Sequence, residues 1–167
     1  MDGDAVTYCL NKIQRYQKRY ESVSEKTGVP WYVIAAIHSL ESSFNFGTHL
    51  HNGDPLTSRT VHVPAGRPRS GNPPFSWEES AIDALEYDGA LTVQDWDIAT
   101  SLWFLEGYNG WGYRTGKGQA TTPPKRSPYL WSKTNHYQKG KYVQDGKFDP
   151  YAVSDQVGSA AMFKGLE

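Results

Sequence analysis

Glu41 sits inside the stretch AAIHSLESSFNF, residues 35–46. Ile37 lies four positions before it and Phe44 three after, so on a continuous helix all three share one face. A carboxyl among apolar neighbours loses hydration, which disfavours its charged form and raises its pKa. Such a group stays protonated near neutral pH and can act as a general acid. Cleavage of a glycosidic bond needs an acid at the leaving oxygen, and inverting hydrolysis adds a second carboxylate that activates water. Asp54, in Asn52-Gly53-Asp54-Pro55, is the candidate for that second carboxylate. The same tetrapeptide is ordinary turn chemistry, and the two readings stand level. Thr60 would hold the water, or serve simply as a strand residue.

The histidines offer another chemistry. His49-x-His51, with His62 and Asp54, supplies zinc-type donors. An HxH pair in a loop is a weak signal and the chain has no HExxH, so no metal and no other cofactor is expected. His38, three residues before Glu41, either tunes that carboxyl or fills the core. Nucleophilic catalysis has no support, because there is no G-x-S-x-G, and Cys9, the single cysteine, falls on a core-facing helix. Neither a P-loop nor a Rossmann fingerprint is present. Trp111, Tyr113, Tyr129 and Trp131 would either stack on sugar faces or anchor loops.

These residues need elements to hold them. Val6, Leu10, Ile13, Tyr16 or Tyr20, and Val23 recur at helical spacing, which predicts an amphipathic helix over residues 4–25. Gly28-Val29-Pro30 breaks it, and a second helix from Pro30 to about Ser42 carries Glu41 at its end. Residues 45–75 are rich in Gly, Pro and Asn, and Thr60-Val61-His62-Val63 alternates, so a small β-hairpin lobe is expected there. Ser76 and Glu79 have capping-box spacing ahead of a helix that reaches Gly89. Thr92 and Asp95 repeat that pattern before an apolar face of Ile98, Leu102 and Leu105 that ends at Gly107. Residues 107–127 read as loop, Pro128–Ser132 as a short helix, and Asp149-Pro150 as the start of a last one. The expectation is one domain over residues 1–167, mainly α (α+β), with a β-hairpin lobe after the helix that carries Glu41.

The 167 residues suit one domain with a core, and aromatics make up 14% of them, which fits a large core or a sugar groove. Charge is uneven. Ser76–Glu106 holds eight acids and no Lys or Arg, whereas Trp111–Lys147 holds eight bases against Asp145 alone. A basic face favours an anionic polymer, but no RNA-binding motif interleaves these bases with aromatics, so nucleic acid is not expected as a partner. No apolar run approaches the ~20 residues that span a bilayer. The MDGDAVTY start lacks a signal-peptide core, so synthesis without an export signal and a monomeric, soluble chain are expected.

Glu41-Ser42-Ser43-Phe44-Asn45 at a helix end resembles the catalytic signature of goose-type lysozymes and lytic transglycosylases. Leu105-Glu106-Gly107-Tyr108-Asn109-Gly110 is similar to that superfamily's later Tyr-Asn-Gly segment. The resemblance covers residues 28–113 and implies a lysozyme-like fold acting on peptidoglycan glycan strands. It makes Glu41 the general acid, gives Tyr108 and Asn109 contacts to substrate or to Glu41, and sets Asp54 and Thr60 in the place of the lobe residues that serve water. Ser43, His62 and Trp111 join them as substrate contacts. The Gly-Leu-Met-Gln segment usual in lytic transglycosylases is missing, which tilts the expectation from 1,6-anhydro products toward hydrolysis. A chitosanase or chitinase on the same fold, and an inactive wall-binding or phage structural protein, are the alternatives. A phage endolysin released through a holin to reach the cell wall is the biological setting that the resemblance implies.

Overall fold

The computed structural model describes residues 3–116 and 125–167. Among them the chain is mainly helical, with seven helices and a small two-stranded antiparallel hairpin near the C-terminus. Two compact units emerge, one of residues Lys12–Trp96 and one of Met1–Asn11 with Asp97–Glu167. None of the helices described is long and apolar enough to cross a membrane.

In the Lys12–Trp96 unit, α1 (Gly3–Thr27) buries Ile13, Tyr20 and Val23 on one stripe. It stops at Gly28, whose φ of 74° suits glycine and whose N–H reaches the Ser24 carbonyl at 2.8 Å. Pro30 then caps α2 (Trp31–Ser42). Six consecutive residues of α2, Val33 to His38, are buried, so this helix is a core element on every side. The expected capping box is present at α3 (Trp77–Tyr87). The Ser76 hydroxyl accepts the Glu79 N–H, and the Glu79 carboxylate accepts the Ser76 N–H at 2.8 Å.

Residues 43–76 hold no strand, contrary to the expected hairpin lobe; the segment carries a single bridge, Thr48 to Pro55. The reason is local. The Val61 and His62 N–H groups, which a strand would spend on a neighbour, are taken by the Asp54 carboxylate. Thr60 is buried while Val61, His62 and Val63 are all exposed, so the sequence alternation is not expressed as two faces.

In the other unit, α4 (Ile98–Asn109) starts at Asp97, whose carboxylate accepts the Thr100 N–H at 2.7 Å. Thr92 is therefore not a helix cap; its hydroxyl donates to the Gly89 carbonyl, closing a 3-10 turn at Ala90–Thr92. The stretch expected as loop contains α5 (Gly112–Thr115). Residues 117–124 of that stretch, Lys117 included, lie outside the described residues. The helix expected at Pro128 forms as α6 (Pro128–Trp131), capped by Ser127. The sheet pairs β1 (Lys141–Gln144) with β2 (Lys147–Asp149), with Tyr142 opposite Phe148. Asp149 opens no helix. Its carboxylate accepts the N–H groups of Tyr151 and Ala152 in a turn, and α7 begins only at Ser159 (Ser159–Leu166). Helices α4, α6 and α7 pack on one another around Leu105, Tyr129, Leu130, Met162 and Phe163.

Candidate active site

Glu41 sits in the last turn of α2 and is half-buried. Beneath it the helix is anchored by an aromatic cluster. His38 lies 4.4 Å from Phe46 and 4.6 Å from Trp77, ring centre to ring centre. Burial pushes the His38 imidazole down to about 4, against an opposing pull from the Asn45 backbone, so the ring is neutral. Its Nδ1 pairs with the Tyr20 hydroxyl at 3.0 Å, and its Nε2 has no hydrogen-bond partner among the described residues.

The helix ends abruptly after Glu41. Ser43 and Phe44 are both left-handed, with φ of 51° and 65°, although neither is glycine. Each such residue costs about 1–2 kcal/mol. The turn is held because the Ser43 and Phe44 N–H groups bond the Ser39 and His38 carbonyls, at 3.0 and 3.3 Å. Phe46 then docks against Trp77 at 5.0 Å, with the Arg19 guanidinium 3.8 Å from its ring centre. Ile37 is fully buried, as expected, but Phe44 lies past the helix end, so it shares no helical face with Glu41. Ser43 is exposed beside Glu41.

Asp54 is the hub of the following loop. One carboxylate oxygen accepts the Val61 and His62 N–H groups at 2.8 and 3.0 Å; the other meets His62 Nδ1 at 2.6 Å. The His62 backbone and ring contacts lead in holding the Asp54 carboxyl down to about 2, so it is ionised. Thr60 is buried, its hydroxyl donating to the Pro64 carbonyl at 2.5 Å and accepting the Arg67 N–H at 2.9 Å. Both residues expected to serve water thus also build the loop.

His49 and His51 are committed. His49 spans the Ser80 hydroxyl and the Ser58 carbonyl, both at 2.8 Å. His51 meets Asp83 at 2.6 Å, and Arg67 grips the same carboxylate with two nitrogens at 2.9 and 3.0 Å. Burial lowers the His51 pKa in spite of Asp83. Among the described residues no group of three or more His, Cys, Asp or Glu is placed to hold a metal ion.

Tyr108, Asn109 and Trp111 belong to the other unit. Tyr108 and Asn109 end α4; Asn109 and Trp111 line an open cavity of about 620 Å³ with Tyr113, Tyr142 and Gln144. Trp111 packs against Trp103 at 4.4 Å, and the Arg114 guanidinium sits 4.9 Å from the Trp103 ring centre. The hairpin contribution of Tyr142 and Gln144 has no local signal in the sequence. Glu106 does have one: like Glu41, it is an acid inside an apolar helical run. It is buried and bonded to Arg114 at 2.5 Å, an ion pair that occupies it.

Comparison with protein-family models, curated proteins and solved structures finds no match.

Proposed function

We propose that this chain is a lysozyme-like glycoside hydrolase that cleaves the β-1,4 bond between N-acetylmuramic acid and N-acetylglucosamine in peptidoglycan. Glu41 protonates the leaving oxygen, and the Asp54 loop, with Thr60 inside it, supplies the site that orders water. Ser43 contacts the glycan within the unit that carries Glu41, and Tyr108, Asn109 and Trp111 offer glycan contacts within the other unit. The proposal includes a monomer that meets its substrate at the cell wall.

The observation that carries this reading is the setting of Glu41. A half-buried carboxyl sits in the last turn of a helix whose residues Val33 to His38 are all buried, and two non-glycine residues in left-handed conformation follow the helix end. Strain of that kind persists where the surroundings over-determine it, and it gathers at functional sites. The aromatic cavity around Trp111 and Tyr142 adds support, because flat rings with polar tips suit sugar faces.

The test is mass spectrometry of soluble products from purified peptidoglycan, with Glu41→Gln alongside. Products with reducing ends, absent from the variant, are expected. Products with 1,6-anhydro ends would replace hydrolysis by transglycosylation. No products from the wild-type chain, or equal yields from the variant, would overturn the assignment.

A further inference from the structure

The exposed loop after α2 carries an acid–histidine pair whose two members differ sharply in access. The Asp54 side chain is 9% exposed and that of His62 is 79% exposed. All the Asp54 contacts point inward to the loop: two backbone N–H groups on one oxygen, the His62 ring on the other. Its own N–H is tied to the Asn52 side-chain oxygen at 3.0 Å, and its carbonyl accepts the His49 N–H at 2.7 Å. A carboxylate so enclosed is a poor partner for a water molecule.

His62 is the opposite case. Its backbone is fixed from both sides, since its N–H goes to Asp54 and its carbonyl accepts the Asn52 amide at 3.0 Å. Its ring is fixed by Asp54 through Nδ1. An ionised carboxylate accepts only, so Nδ1 carries the proton in the neutral ring and Nε2 keeps its lone pair. That nitrogen makes no hydrogen bond among the described residues. The arrangement has the logic of a base oriented by a buried acid.

We propose that His62 is the general base of the hydrolysis and that Asp54 is its positioning residue. The inference rests on the glycosidase reading and deepens it. Water attacks the anomeric carbon and gives one proton to His62 Nε2. The bond from that carbon to the leaving oxygen breaks with its electron pair on the oxygen, which takes the proton of the Glu41 carboxyl. The His62 proton then passes to solvent and Glu41 regains one, so the site is restored.

The experiment has two arms. In the first, His62→Ala is assayed on peptidoglycan beside the wild type and Glu41→Gln. The expected result is a fall in kcat of about 10²–10⁴-fold with KM little changed, and partial recovery with added imidazole. Wild-type rates from His62→Ala, with Glu41→Gln inactive, overturn the inference and leave the glycosidase reading standing. A loss that imidazole does not restore also overturns it, reducing His62 to a structural contact. An inactive wild-type chain overturns both. In the second arm, nitrogen NMR of the imidazole is independent of turnover. A proton on Nδ1 is expected; a proton resident on Nε2 overturns the inference whatever the activity. Asp54→Asn is expected to populate that second tautomer and to lower kcat.

Discussion

The Tyr20 hydroxyl and His38 Nδ1 meet at 3.0 Å in the middle of the aromatic cluster, one helical turn before Glu41. The bond satisfies one ring nitrogen of a histidine that is fully buried and whose pKa is lowered to about 4. In the unfolded chain the same ring titrates near 6.5. Between those values the unfolded state holds more protons, so stability rises with pH. The contribution is complete above pH 6.5 and is lost as the pH falls toward 4, by about 3 kcal/mol at the end of that window. Thermal unfolding at pH 7 and pH 4 is expected to show the loss, and His38→Phe is expected to remove most of it. An equal pH dependence in the variant would assign the effect to other groups, such as His51.

A second expectation concerns Gly107 and Trp111. A Cβ on Gly107 would stand 2.7 Å from the Trp111 ring. Trp111 is partly exposed and able to shift, so Gly107→Ala displaces the ring rather than the helix. Helix propensity favours Ala by about 0.5–1 kcal/mol. The variant is therefore expected to keep its melting temperature while binding chitooligosaccharides more weakly, as Trp111 leaves its place on Trp103. Trp111→Ala is expected to weaken that binding by about tenfold, on the order of 1 kcal/mol. Tryptophan fluorescence titration measures both. Unchanged affinity in the two variants would remove Trp111 from the glycan contacts.

Much of this was legible where the signal is local. The stripe of Ile13, Tyr20 and Val23, the Gly28 stop and the Ser76 capping box each lie within a few residues of sequence, and each forms. The alternation at Thr60–Val63 is equally local, yet a carboxylate earlier in the same loop overrides it. Asp54 captures the N–H groups of Val61 and His62, and no neighbouring strand competes for them. Asp149 shows the same limit at a helix start. An Asp before a proline caps a helix or closes a turn with the same chemistry, and here it closes a turn. The Glu41 environment was half legible. Its place at the end of a buried helix followed from the apolar pattern, whereas the strained turn at Ser43 and Phe44 depends on where Phe46 finds Trp77. The cavity residues Tyr142 and Gln144 come from a hairpin distant in sequence, beyond the reach of spacing arguments.

Arg67 gives a prediction about the loop that carries His62. Its guanidinium binds Asp83 with two nitrogens, and His51 shares the same carboxylate. Both side chains of the pair are mostly buried. Removing one partner leaves a charge without compensation, so Arg67→Ala is expected to cost about 3 kcal/mol. Arg67→Lys keeps the charge but not the planar fork, and is expected to recover only part of that loss. Urea unfolding checks both; a midpoint unchanged in Arg67→Ala would show that Asp83 is satisfied by His51 alone.

Gly158 is the most constrained glycine among the described residues of its unit, although its backbone conformation is open to any residue. A Cβ there would stand 2.4 Å from the Leu130 carbonyl oxygen and 2.7 Å from the Ser132 nitrogen. These are backbone atoms at the end of α6, and the Gly158 N–H itself bonds the Ser132 carbonyl at 3.0 Å. No rotamer relieves such a contact, unlike the Trp111 ring over Gly107. Either α7 withdraws from α6 or the bond breaks, so Gly158→Ala is expected to cost about 3 kcal/mol, the upper end for overpacking. The loss should appear in hydrogen exchange as weakened protection of α6 and α7, with α3 in the other unit less affected. Wild-type protection across α6 and α7 in this variant would mean that the two segments do not approach as closely as the hydrogen bond requires.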